Sequence, residues 1–255
     1  MSATAGTIFH GTRTPLTTWF RAAWWLSCQK HGSSALGMQR VLGLGSYKTA
    51  WMLLHRLRRS MVRAERTALE GPVEVDETLV GGFHPGYRGR SLARKALVVI
   101  AVEVRGEGEG RVRLRRAAGS SAQDLVGFVE AVVAAGSDVV TDGHPSYVVL
   151  DQRGFRHERR VQRGSPDPHS LLPHVHRVAS LLKRWLLGTH QGAVSRKHLD
   201  AYLEEFAFRF NRRTSAYRGQ LFVRLIENAV RVAPLTYRGI VGPVASPRVH
   251  RRSKR

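Results

Sequence analysis

The sequence predicts an α/β protein: a basic helical region followed by a mixed β-sheet core with flanking helices. Three observations carry this. Apolar residues recur at helical spacing through roughly the first 60 positions. From Pro72 the pattern turns to alternation and β-branched runs, and beyond about position 170 the helical period returns. The organisation that follows is a helical region over 1–70, a sheet domain over 71–230 and a basic tail over 231–255, predicted to be disordered because it has little to bury.

The first helix is expected after Thr14-Pro15, with Thr14 as cap and Leu16, Trp19, Phe20, Ala23 and Trp24 on one face as far as about Lys30. Ser33 or Ser34 caps a short second helix, and Gly43-Leu44-Gly45 makes a turn. Ser46 opens a third helix, Tyr47 to about Val62. Its apolar face is Ala50, Leu53, Leu54 and Leu57; its other face carries Lys48, His55, Arg56, Arg58, Arg59 and Arg63. Two helices joined by a glycine turn, the second one basic, form a helix-turn-helix pattern that would lay Lys48, Arg56, Arg58 and Arg59 on DNA. An ordinary three-helix bundle with a solvated basic face gives the same pattern.

Strands are expected at 73–80, 95–104 and 111–117, the second buried on both faces. A basic glycine-rich loop spans 83–94. Ser121 caps a helix closed by Gly136, and a short strand at 138–141 ends at Asp142-Gly143. A fifth strand is expected at 155–161, an irregular stretch at 165–172, and helices at 174–187 and 195–213.

Charge narrows the function. The chain of 255 residues holds 41 lysines and arginines against 19 aspartates and glutamates, a net of +22, which points to a polyanionic partner. No apolar run approaches the roughly 18 residues that span a bilayer, and no secretory signal is visible. The lone Cys28 excludes a disulfide framework and fits a reducing, cytoplasmic setting. Residues 1–72 carry net +8, 73–192 only +4, and 193–255 +10. The outer thirds read as the grip, and the middle holds most of the carboxylates.

Among those carboxylates, Asp76 lies within the first strand and Asp142 at the end of the fourth. Side by side in a sheet, they would converge at one edge. Such a pair suits a hard divalent cation, and two such ions support in-line attack on a phosphodiester. Aspartates at strand ends are equally common as turn formers.

The chain resembles the bacterial insertion-sequence transposases of the DDE type with an RNase H-like core, in the group whose full-length members carry an N-terminal zinc ribbon. The resemblance is carried by GTIFHGTRTPLTTWF at 6–20, SYKTAWMLLHRLR at 46–58, VEVDETLVGG at 73–82, DGHPSY at 142–147 and LKRWLLGTHQGAVSRKHLDAYLEEFAFRFNRR at 182–213. It implies Asp76 and Asp142 as the first two metal-binding acids, Lys183 as a catalytic-site lysine, and a third metal ligand seven residues before that lysine. This position is His176, where most DDE enzymes have glutamate. A neutral imidazole suits manganese better than magnesium. The alternative is a surface helix histidine, with His174 as its nearest competitor for the metal. Glu74 shares the Asp76 strand face, and Glu77 points the other way as a salt-bridge partner. Arg184, Arg209, Arg212 and Arg213 are expected on the DNA backbone.

The resemblance further implies Mg2+ or Mn2+ as cofactor, a homodimer or larger synaptic multimer on paired DNA ends, and a site of action on DNA in the cytoplasm. The zinc ribbon would precede residue 6, so no zinc is expected in this chain and its N-terminus reads as truncated. The function expected is a DNA transposase; the alternative is a weak or inactive remnant that occupies element ends as a repressor. A structural RNA-binding role fits the charge but not the aspartates.

Overall fold

A computed structural model describes residues 2–62, 66–81, 95–161, 170–192 and 194–242. The loop expected at 83–94, most of the irregular stretch at 165–172, Arg63 and the end of the basic tail from 243 lie outside the described residues.

Three helices come first: α1 (Leu16–Cys28), α2 (Ala35–Leu42) and α3 (Tyr47–Arg59). Pro15 occupies the α1 N-cap in extended backbone and its carbonyl takes the Thr18 and Trp19 amides, so Thr14 is not the cap. Ser34 caps α2 by accepting from the Gly37 amide at 3.0 Å. Gly43 closes it in the left-handed region (φ 64°), where a side chain would be strained. Ser46 holds the α3 N-cap without a side-chain bond.

The sheet follows: β1 (Pro72–Val80), β2 (Ala96–Arg105) and β3 (Gly108–Ala117), then α4 (Ala122–Val132) capped by Ser121, β4 (Asp138–Thr141), a 3-10 helix over Pro145–Arg153, and β5 (Arg156–Arg159). The strand order is β3-β2-β1-β4-β5. β1–β2 and β2–β3 are antiparallel, while β1–β4 and β4–β5 are parallel. This is the mixed RNase H-like sheet that the motifs imply. α5 (Pro173–His190), α6 (Leu199–Phe210), α7 (Arg218–Ala229) and α8 (Tyr237–Val241) complete the chain. α7 is an addition to the expected elements. α8 corrects the expected disorder at its start: Thr236 caps it and Ile240 is buried.

Strand alternation divides the core. Val73, Val75, Val99, Ala101 and Val139 pack under α4, through Leu125, Phe128 and Val129. Val98, Ile100, Val102, Leu114 and Val140 pack under α5 and α6, through Val175, Val178, Leu182, Leu203 and Phe206. With helices on both sides, β2 has to be apolar on both faces. The outer edge of β3 is held by Asn211, whose side chain accepts from the Val112 amide at 2.7 Å and donates to the Val112 carbonyl at 3.1 Å.

The helical core draws on both ends of the chain. Trp19, Leu26, Met38, Leu53, Leu54 and Leu57 are joined by Phe208 of α6 and by Leu225 and Ala229 of α7. α3 is therefore packed on two sides, and Arg58 (2% exposed) points inward. Its Nε lies 2.6 Å from the carboxylate of Glu205, which is fully buried. Arg209 grips the other oxygen of Glu205 and also donates to the carbonyls of Leu26 and Gln29. Burial raises the Glu205 carboxyl, but the two guanidinium charges outweigh it and hold the group at about 2. Gly32 lies against this network in the left-handed region (φ 82°). A Cβ there would fall 2.9 Å from the Trp185 ring nitrogen and 3.1 Å from a Glu205 oxygen.

His55 (4% exposed) sits beside it, its ring 4.2 Å from that of Trp51, and its Nε2 has no hydrogen-bond partner among the described residues. Burial, aided by Arg58, lowers it to about 3; burial likewise lowers His190 to about 4.

Glu205→Gln leaves the buried Arg58 and the partly buried Arg209 without their shared counter-charge, and urea unfolding at neutral pH should report a loss of about 3–5 kcal/mol. The histidines set an acid limit. The unfolded chain takes up their protons near 6.5, the folded chain only near 3–4, so the stability they confer is complete above 6.5 and is lost as pH falls below it. Replacing His55 with phenylalanine should flatten the decline in urea midpoint between pH 6.5 and 4; a decline as steep as in the parent excludes His55 as its source.

Candidate active site

The parallel pairing of β1 with β4 runs from Pro72 opposite Asp138 to Val75 opposite Thr141. One step further along both strands come Asp76 and Asp142, at the edge where β4 ends. Asp142 is turned by its own loop: its Oδ1 accepts from the His144 amide at 2.9 Å, an Asx turn. Gly143 allows that turn at φ 85°, with the Val161 side chain 2.9 Å from where a Cβ would stand.

Asp76 pairs with Ile100 and so faces α5. Its Oδ2 lies 3.2 Å from Nε2 of His176, near the start of that helix. Glu74, two residues earlier on the same face and 4% exposed, explains why the two meet. Its Oε2 accepts from the Val175 amide at 2.8 Å, capping the first turn of α5. The next residue along the helix is His176, as Asp76 is the next same-face residue along the strand. Glu74 thus serves as a helix cap, a role that strand alternation alone does not reveal.

Glu77 points to the opposite face, as alternation requires, but it makes no salt bridge among the described residues. It accepts from the hydroxyl of the buried Tyr147. Burial pushes its carboxyl up to about 7, against the Tyr147 bond and with help from the negative charges of Asp76 and Asp142. His174 lies 3.8 Å from Glu109, away from Asp76. Lys183 is exposed two turns beyond His176, about 10 Å along the helix axis.

The arginines divide into two groups. Lys48, Arg59, Arg184 and Arg213 are exposed, Lys48 over the Tyr237 ring and Arg213 over the Phe210 ring. Arg212 is half-buried against Phe208. Arg58 and Arg209, expected on DNA, are instead tied to Glu205 in the interior. Arg56 is half-buried and donates to the Leu235 carbonyl at 2.8 Å. The helix-turn-helix outline is present. Its second helix does not present a free basic face, because α6 and α7 cover that side.

The donor chemistry suits a divalent ion in its two carboxylates, which are hard oxygen ligands. His176 adds a ring nitrogen in direct contact with one of them. Among the described residues no three histidine, cysteine or acidic side chains converge into a group set to hold a metal. No helix among them is long and apolar enough to cross a membrane.

Residues 68–211 match the family described as the ISXO2-like transposase domain. An uncharacterised protein in transposable element ISH50 of Halobacterium salinarum is 30% identical over 221 residues, covering 80% of this chain and 72% of that protein. Among solved structures, a chain of the simian T-cell lymphotropic virus intasome with PP2A regulatory subunit B56 gamma aligns at 15% identity and a TM-score of 0.38, covering 78% of this chain and 74% of its own. A chain of a pre-cleavage Mos1 transpososome aligns at 14% identity and a TM-score of 0.31, covering 87% and 80% respectively. On the family match over more than half its length and the relative in a transposable element, the chain belongs to the ISXO2-like transposase domain family, the insertion-sequence transposases of the DDE type.

Proposed function

We propose that this protein is a DNA transposase that cleaves at the ends of an insertion element and joins the freed 3′-hydroxyl to target DNA. The observation that supports the reading is the β1–β4 pairing, which ends at Val75 opposite Thr141, one residue before Asp76 and Asp142, together with His176 of α5 3.2 Å from Asp76. Asp76 and Asp142 would hold Mg2+ or Mn2+, with His176 as third donor, and the ion would supply charge neutralisation at the phosphodiester and acidify the attacking hydroxyl. With such an ion bound, the carboxylates would orient the reacting phosphate through it. Lys183 holds a neighbouring phosphate from two helical turns away. In the first step water attacks the phosphorus, and the 3′-oxygen leaves with a proton. In the second that 3′-hydroxyl gives up its proton and attacks a target phosphodiester, whose own 3′-oxygen leaves and takes a proton up. The exposed cations Lys48, Arg59, Arg184 and Arg213 grip the duplex, and two or more copies bring paired ends together.

A second reading is favoured by the absence, among the described residues, of three side chains grouped to hold a metal: a protein that occupies element ends without cutting them.

Asp76→Asn and Asp142→Asn should each lower metal-dependent cleavage of terminal-repeat DNA at least about a thousandfold and leave duplex binding intact. Parent protein that binds the ends but never cuts them establishes the second reading instead. With imidazole as the third donor, strand transfer should run faster in Mn2+ than in Mg2+, and His176→Glu should shift the preference towards Mg2+. Equal rates in both ions for the parent would remove His176 from the metal.

A further inference from the structure

We infer that the groove between the end of α1 and α5 seats a DNA backbone that crosses the bare helix surface at Gly188. The inference rests on the transposase reading only for the identity of the polyanion. The groove encloses about 630 Å3, and its walls include Lys30, Arg184, Trp185, Gly188, Arg209 and Arg213, with no acidic residue lining it among the described residues. Arg209 is neutralised by Glu205, and Arg213, which donates to the carbonyls of Glu109, Gly110 and Phe210, has its acidic contact with Glu109 at 3.8 Å. Lys30 and Arg184 are exposed and have no acidic partner among the described residues. The groove therefore presents uncompensated positive charge, the electrostatic footprint that a nucleic-acid backbone requires.

Gly188 is the independent observation. It lies within α5, where glycine weakens a helix relative to alanine. A Cβ there would meet nothing within 4 Å among the described residues, so packing against them does not require glycine. Helix termination does not require it either. The left-handed residue that ends α5 is Gln191 (φ 51°), three positions later. What glycine provides here is close approach of another backbone to the helix. The surroundings are fixed for such an approach. The Trp185 ring nitrogen and the Thr189 hydroxyl both donate to the His31 carbonyl, at 2.9 and 2.6 Å, clamping α5 to the chain that follows α1.

Gly127 supplies the control. It lies within α4, also with nothing within 4 Å of an added Cβ among the described residues, and it does not line the groove. The full chain is titrated against a fluorescein-labelled 30-base-pair duplex over a range of salt concentrations, and melting is followed in parallel. Gly188→Ala and Gly127→Ala should each raise the melting temperature by about 2 °C. Gly188→Ala should nevertheless weaken duplex binding about fivefold, with Gly127→Ala unchanged. Arg184→Gln should reduce the slope of log affinity against log salt by about 0.9. A Gly188→Ala protein that melts and binds as Gly127→Ala does overturns the inference, as does an unchanged slope for Arg184→Gln. Normal metal-dependent cleavage with unaltered Gly188→Ala binding sinks the groove alone. Duplex binding that is sensitive to Gly188→Ala, with no cleavage by the parent, sinks the transposase reading and keeps the groove.

Discussion

The buried carboxylate of Glu205 is the constraint on which the rest of the architecture depends. An ionised group removed from water must be surrounded by compensating charge, and here Arg58 and Arg209 supply it from α3 and from the same helix. Meeting that requirement fixes α3 against α6, and Arg209 extends the tie to the last carbonyls of α1. Gly32 must then run so close that no side chain fits. The same chain segment presents the His31 carbonyl to Trp185 and Thr189 of α5. A single buried charge thus joins the helical region to the helix that carries His176 and Lys183. Networks of this kind favour one arrangement over others more than they add net stability, since desolvation offsets much of the attraction.

The candidate site shows the same economy on a smaller scale. Glu74 and Asp76 differ by one pleat of β1. The first caps α5 and the second meets the next residue of that helix. Strand spacing and helix geometry together bring imidazole and carboxylate within contact, so the position of His176 is inherited from the cap.

What was legible in the sequence was local. Alternation in VEVDETLV placed Asp76 and Glu77 on opposite faces, the Ser34 and Ser121 caps were readable from residue type, and the doubly buried β2 followed from its apolar run. Asp76, Asp142 and Lys183 entered as candidates through motif resemblance far more than through pattern. What was not legible depended on partners distant in sequence. Arg58 looked like a surface cation because nothing in its own helix signals a glutamate 147 positions away. Arg56 was misplaced for the same reason, its acceptor being the Leu235 carbonyl. α7 has a sound amphipathic face, but its partner is α1, at the other end of the chain.

Asn211 has a consequence for assembly. An edge strand offers unpaired amide and carbonyl groups to any neighbouring chain, and sheet extension is the usual way copies aggregate through such an edge. Here one carboxamide occupies both groups of Val112, and Arg213 covers the carbonyls of Glu109 and Gly110. The rim of β3 is closed to a second copy at these residues, so copies of this chain cannot associate by continuing the sheet there.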